Sequence, residues 1–248
     1  MNAPRDLIAE HAPSEIRKRL RSGPNHSYLR DFIYGAIDGA VTTFAVVSGV
    51  AGAGLAGGII IVLGLANLIA DGFSMAASNY LGVKSEREMR DRVRRTEEEH
   101  IDGYPEGERE EIRQIFAAKG FEGEGLEQAV EIITDDRRRW VDMMIQEEYG
   151  LPLDGPRPSR AAWTTFAAFL VVGFVPLAPF IWQYLVGEIE GVYSWSIGAT
   201  AIAFIAVGAV KGKFVGQSWY SSSAETLALG GGAAALAYAV GVALKGIT

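Results

Sequence analysis

Charge and apolarity are segregated along this chain. Apolar residues concentrate in two blocks, roughly 32–80 and 161–247, while most charged residues fall between them, in 84–160. A water-soluble domain interleaves charged and core positions, so that each amphipathic element buries one face and wets the other. Long uncharged stretches flanking a charged one are instead what partition into a bilayer demands, since a spanning helix must be apolar over about 20 residues. The chain therefore reads as a polytopic membrane protein with a water-soluble insert. It has no cysteine, which removes disulfides, thiolate metal clusters and thiol nucleophiles. Its net charge of −7 gives no support to nucleic-acid binding, which calls for a basic stripe.

Residues 32–52 form the first expected span, just long enough for a hydrocarbon layer of about 30 Å. Gly52, Gly54, Gly57 and Gly58 mark a turn, and Leu55 to about Tyr80 supplies the second span. From Val83 to Asp102 there is neither Gly nor Pro, which predicts that this helix continues into water as a charged stalk. After Gly103 a helix is expected from Pro105 to Lys119, and another over about Leu126–Tyr149, closed by Gly150 and Pro152. A third span over about Ala161–Val186 contains Pro176 and Pro179 and should be kinked or unwound there. Spans four and five fall at about Tyr193–Val210 and Ala224–Leu244, both rich in Gly and Ala.

The expected fold is thus an all-α integral membrane protein of five transmembrane helices, with a three-helix domain inserted between spans 2 and 3. Its divisions are 1–31, an N-terminal segment; 32–82, spans 1 and 2; 83–160, the helical insert; and 161–248, spans 3 to 5. Arg5, Arg17, Lys18, Arg19, Arg21 and Arg30 precede the first span, and Lys211 and Lys213 lie between spans 4 and 5, whereas the other two short turns have no Lys or Arg. The positive-inside rule then places the N-terminus and the insert in the cytoplasm and the C-terminus outside. No targeting peptide is evident, and the location expected is the plasma membrane.

Asp38 lies within the first span, and an ionisable group at such depth costs about 2.5–3.5 kcal/mol on insertion scales, so it usually faces a partner or a pathway. Asp71 lies toward the cytoplasmic end of the second span. Met75 alone is ordinary apolar filler. Beside Asp38, however, it would pair a soft thioether with a hard oxygen, a mixture suited to borderline transition metals, and Thr42 adds another oxygen.

The insert contains Glu97-x-x-His100 and Glu108-x-x-Glu111, each an i, i+3 pair sharing one helix face, on helices that the Gly103–Pro105 turn could bring together. Carboxylate and imidazole suit first-row divalent metals, although acidic runs are commonly solvated faces. Trp140, Met143, Met144 and Glu147 recur at helical spacing; an apolar packing stripe explains the first three, while Glu147 fits a core less easily and makes this face a possible third wall of a metal site.

These segments, RDFIYGAIDGAVTTFAVVSGVAGA, LIADGFSMAASNYLGVKSEREM, PEGEREEIRQIFAAKGF and RRRWVDMMIQEEYGL, resemble the vacuolar iron transporter family of divalent-metal exporters, over nearly the whole chain from Arg30. The resemblance implies a five-span homodimer with its ion path at the subunit interface, and a cytoplasmic metal-binding domain that gathers ions for the pore. It implies proton-coupled antiport, with Asp38 and Met75 as the pore pair and Glu97, His100, Glu108, Glu111, Met143, Met144 and Glu147 as ligands. Two departures stand out: His100 where the family pattern has a second Glu, and Ser78-Asn79-Tyr80 where it reads Gly-Glu-Tyr. An imidazole favours later first-row metals, and its affinity should weaken as pH falls through about 6.5.

The function expected is export of ferrous iron, and of other divalent ions such as manganese, cobalt and zinc, from the cytoplasm by proton antiport. No prosthetic group is expected, the ions being substrate; the partners are those ions, protons, lipid and a second copy. An enzyme reading, a membrane-anchored di-iron carboxylate oxidase, is disfavoured because such bundles use two Glu-x-x-His pairs and this chain has one. A non-transporting metal sensor is the remaining alternative, against which the deep Asp38 argues.

Overall fold

The structure, a computed structural model, describes Ala9, residues 11–22 and residues 27–246. Arg5, and with it part of the basic N-terminal segment, lies outside the described residues. Within them every regular element is helical: α1 (Pro13–Ser22), α2 (Leu29–Ala53), α3 (Gly57–Gly103), α4 (Pro105–Ala118), α5 (Gly123–Thr134), α6 (Arg137–Glu147), α7 (Pro158–Gly173), α8 (Ala178–Val186), α9 (Val192–Val215) and α10 (Trp219–Leu244). Four helices, α2, α3, α9 and α10, are long and apolar enough to cross a membrane, and a fifth span results if the bent pair α7 and α8 is taken as one.

The elements end where local chemistry directs. Gly54 takes the left-handed conformation at φ +72° and its N–H closes the last turn of α2 on Val50 and Ala51. α3 then runs unbroken for 47 residues, about 70 Å at the rise of an ideal helix, through both the apolar and the charged sequence. Pro105 opens α4 in its first turn, where a missing N–H is harmless.

One expectation is corrected. The helix expected over 126–149 is broken in two, because the Asp136 side chain accepts from the Arg139 N–H and caps a new helix, an acidic side chain competing with helix continuation. Three short helices, rather than two, therefore follow α3. The proline-bearing third span is interrupted where expected: α7 and α8 meet at 57° across residues 174–177, with Pro179 in the first turn of α8.

α2 is the central helix of the span bundle and packs on α10, α7, α3 and α9. Apolar burial cannot drive association where lipid is equally apolar, so close backbone approach does. Gly35 and Gly39 on α2 lie against the backbone of Thr165 and Phe169 on α7, and Gly241 on α10 lies on the Gly49 carbonyl. Phe169, Leu177, Phe204 and Val47 are fully buried between these helices. Outward-facing Ile69, Phe73, Trp182, Leu185, Ile202 and Leu236 stay exposed, as a lipid-solvated surface requires.

A separate core forms at the far end of α3. Val93 and Ile101 of that helix pack with Ile112, Val130, Trp140, Val141, Met144 and Ile145, so α4, α5 and α6 fold around the stalk itself. The stalk is thus shared by both cores.

Candidate metal centre

Glu97 and His100 occupy the last two turns of α3, and Glu108 lies in the first turn of α4. The turn at Gly103–Tyr104 folds α4 back on the stalk and brings the three together. His100 Nδ1 stands 3.4 Å from a Glu108 carboxylate oxygen and 3.8 Å from one of Glu97. One ligand atom from each residue lies within 4.8 Å of the others, a spacing that can hold a metal ion.

Burial distinguishes this cluster from a wet acidic face. Glu97 is 1% exposed and Glu108 6%, whereas His100 is open to solvent. Each carboxylate has its second oxygen buried with no hydrogen-bond partner, and buried acceptors are ordinarily satisfied. Burial, then Glu111 and Glu97, push the Glu108 carboxyl up to about 7, with Glu148 adding to the rise and His100 opposing it. A divalent cation would supply what both orphan oxygens lack and relieve the repulsion between the acids. The oxygen–nitrogen–oxygen donor set suits first-row divalent metals.

The other expected ligands divide. Glu111 acts on Glu108 and Glu148 electrostatically and so borders the cluster. Met144 is fully buried in the core beside Ile112 and Ile145, and Met143 packs partly against that core. Glu147 forms an ion pair with Lys119 at 2.6 Å. Its neighbour Glu148, which sequence reasoning passed over, is the acid coupled to the cluster: burial, Glu97 and Glu111 raise its carboxyl above the ordinary range. Glu148 lies four residues beyond Met144, and its N–H bonds to the Met144 carbonyl. Tyr149 follows, and its hydroxyl donates to Glu97 Oε1 at 2.9 Å.

In the span bundle, half-buried Asp38 on α2 lies within electrostatic range of Asp71 on α3. Thr42 donates its hydroxyl to the Asp38 backbone carbonyl at 2.8 Å, which engages it within its own helix. Asp71 is exposed and accepts from the Asn67 amide. Met75 packs against the span core, partly buried. Asn79 ties three helices together, because its amide donates to Asp31 Oδ1 at 2.9 Å and to Thr165 Oγ1 at 2.8 Å and so joins α3 to α2 and α7. Asp31, only 5% exposed, was also passed over. It lies seven residues before Asp38 and so on the same side of α2.

The VIT family model matches residues 29–242. The chain is similar to a vacuolar iron transporter of Toxoplasma gondii, 31% identical over 97% of this chain and 80% of that protein. It is also similar to vacuolar iron transporter 1 of Tulipa gesneriana, 33% identical over 88% of each, and to that of Arabidopsis thaliana, 32% identical over 85% and 83%. These names describe transport rather than catalysis, and the oxidase reading falls away. They also overturn the plasma membrane as the expected location, because the relatives are named for the vacuole. Basic residues flanking the spans report which side of a membrane a segment faces and carry no information on which membrane it is. A matched stretch that begins at the first span and ends in the last, with relatives aligned over most of their own length, shows that the chain belongs to the VIT family.

Proposed function

We propose that this chain is a divalent-metal exporter that moves ferrous iron, and manganese, cobalt or zinc with it, out of the cytoplasm in exchange for protons. The observation that carries the reading is the cluster of buried Glu97 and Glu108 with exposed His100 and its two orphan carboxylate oxygens, built on the end of the same unbroken helix that packs beside Asp38 in the span bundle and closed by α4. Relatives named iron transporters support iron as the principal ion.

In this reading the insert is cytoplasmic and collects ions at the mouth, by ligation and by its negative field. Asp38 then alternates between ion and proton, Met75 offers a soft donor beside it, and Asp71 lines the approach. Two copies form the path between them, each leaving the Asp38 side of α2 half-open for the other. Glu111 and Glu148 serve as accessory acids of the collecting cluster, Glu147 as a bordering acid held by Lys119, and Met143 and Met144 as its apolar wall.

The test is transport in proteoliposomes under a pH gradient, with internal pH and iron recorded together. The parent protein should move iron and protons in opposite directions, and Asp38→Ala should abolish both; unchanged iron flux in that variant would sink the reading. Iron binding without any flux in the parent would favour a sensor.

A further inference from the structure

We propose that Tyr149 is the positioning residue of the ion-collecting cluster: its hydroxyl sets the rotation of the Glu97 carboxylate and leaves the second oxygen of that group for the ion. The inference rests on the cluster being the metal site proposed above.

A glutamate's terminal torsion is soft and broadly two-fold, so burial alone does not decide where its oxygens point. A directional donor must. Within the described residues the hydrogen bond reaching the Glu97 side chain is that of Tyr149, at 2.9 Å to Oε1, and it leaves Oε2 buried and without a partner. The donor type suits this role. An Arg or Lys at the same place would neutralise the carboxylate and compete with an incoming cation, whereas a phenol orients it and adds no charge. A phenol keeps its proton well above neutral pH, so Tyr149 is a donor there.

The segment bearing Tyr149 is itself fixed. Glu148 continues the last turn of α6 by bonding to Met144, Gly150 turns the chain at φ +63°, and the Leu151 N–H returns to the Ile145 carbonyl. Leu151 and Leu153 pack on the core around the stalk, and Gly155 lies against Arg90 of α3. The hydroxyl thus reaches Glu97 from a strap anchored on both sides of it, which is what holding a ligand in one orientation needs.

The full-length protein in detergent, freed of metal and titrated with Co²⁺, tests this, because cobalt absorption reports ligand geometry as well as occupancy. Tyr149→Phe should weaken Co²⁺ binding by about tenfold or more and change the absorption envelope. Glu97→Gln should lose the site. Tyr149→Phe binding with the parent's affinity and spectrum, while Glu97→Gln loses the site, overturns the positioning role and leaves the cluster standing. Weaker binding with an unchanged spectrum marks a packing role and also overturns it. Parent-like binding by Glu97→Gln overturns the cluster as the metal site, and the role of Tyr149 with it.

Discussion

His100 and Glu108 belong to different helices, yet the imidazole Nδ1 stands 3.4 Å from a Glu108 carboxylate oxygen, and Glu97 approaches the same nitrogen at 3.8 Å. The histidine therefore bridges two buried acids that repel each other, and it offsets part of that repulsion at Glu108. It is also the most exposed of the three, and so the side from which an ion can arrive.

The first consequence concerns pH. Glu108 is raised in the folded protein to about 7 from an ordinary 4.5, so between those values the folded state holds a proton that the unfolded state has released. Stability of the metal-free protein should accordingly fall as pH rises from about 4.5 to about 7 and level off above it. Divalent-ion binding should strengthen over the same interval, because the ligand must be deprotonated. Melting curves and Co²⁺ titrations across this range check both signs, and Glu108→Gln should flatten the two profiles together.

Replacing the bridge should change the preference of the site. His100→Glu converts the donor set to three carboxylates, which favours manganese over zinc and cobalt. The zinc-to-manganese affinity ratio should fall by about tenfold, a difference of about 1.4 kcal/mol. Competition titrations with the two ions measure this directly. The same variant should push Glu108 higher, since it exchanges its opposing neighbour for another acid.

Asn79 holds the almost fully buried Asp31 carboxylate. Asn79→Leu removes that donor and the bond to Thr165, leaving a buried acceptor unmatched, at a cost of about 1–3 kcal/mol. The effect should largely disappear in an Asp31→Ala background. A double-mutant cycle on detergent melting temperatures shows whether the two residues are coupled.

Two glycine substitutions should act in opposite directions. A side chain at Gly39 would meet the Phe169 backbone, which cannot yield, so Gly39→Ala should destabilise the span bundle by about 1–3 kcal/mol. Nothing lies within 4 Å of a side chain at Gly231, inside α10, and Gly231→Ala should stabilise the protein by about 0.5–1 kcal/mol. Thermal melts of both variants in one detergent give the comparison.

Periodicity and composition by themselves determined the spans, the continuity of the stalk and the i, i+3 acidic pairs, because each depends on residues close together in the chain. Length and apolarity decide whether a helix can cross lipid, and the lack of Gly and Pro over 83–102 decides that α3 does not stop at the end of its apolar part. The break at Asp136 was visible only as an acidic pair, and whether such a pair caps or is carried through a helix depends on what the flanking segments pack against. Tertiary structure alone decided which acids are buried. Glu97 and Glu108 lose water because α4 folds onto the stalk, whereas Glu147 turns to Lys119 and leaves Glu148 and Tyr149 on the cluster side. One residue along a helix is a rotation of about 100°, and only the packing of the neighbouring helix decides which of two adjacent acids that rotation brings inward.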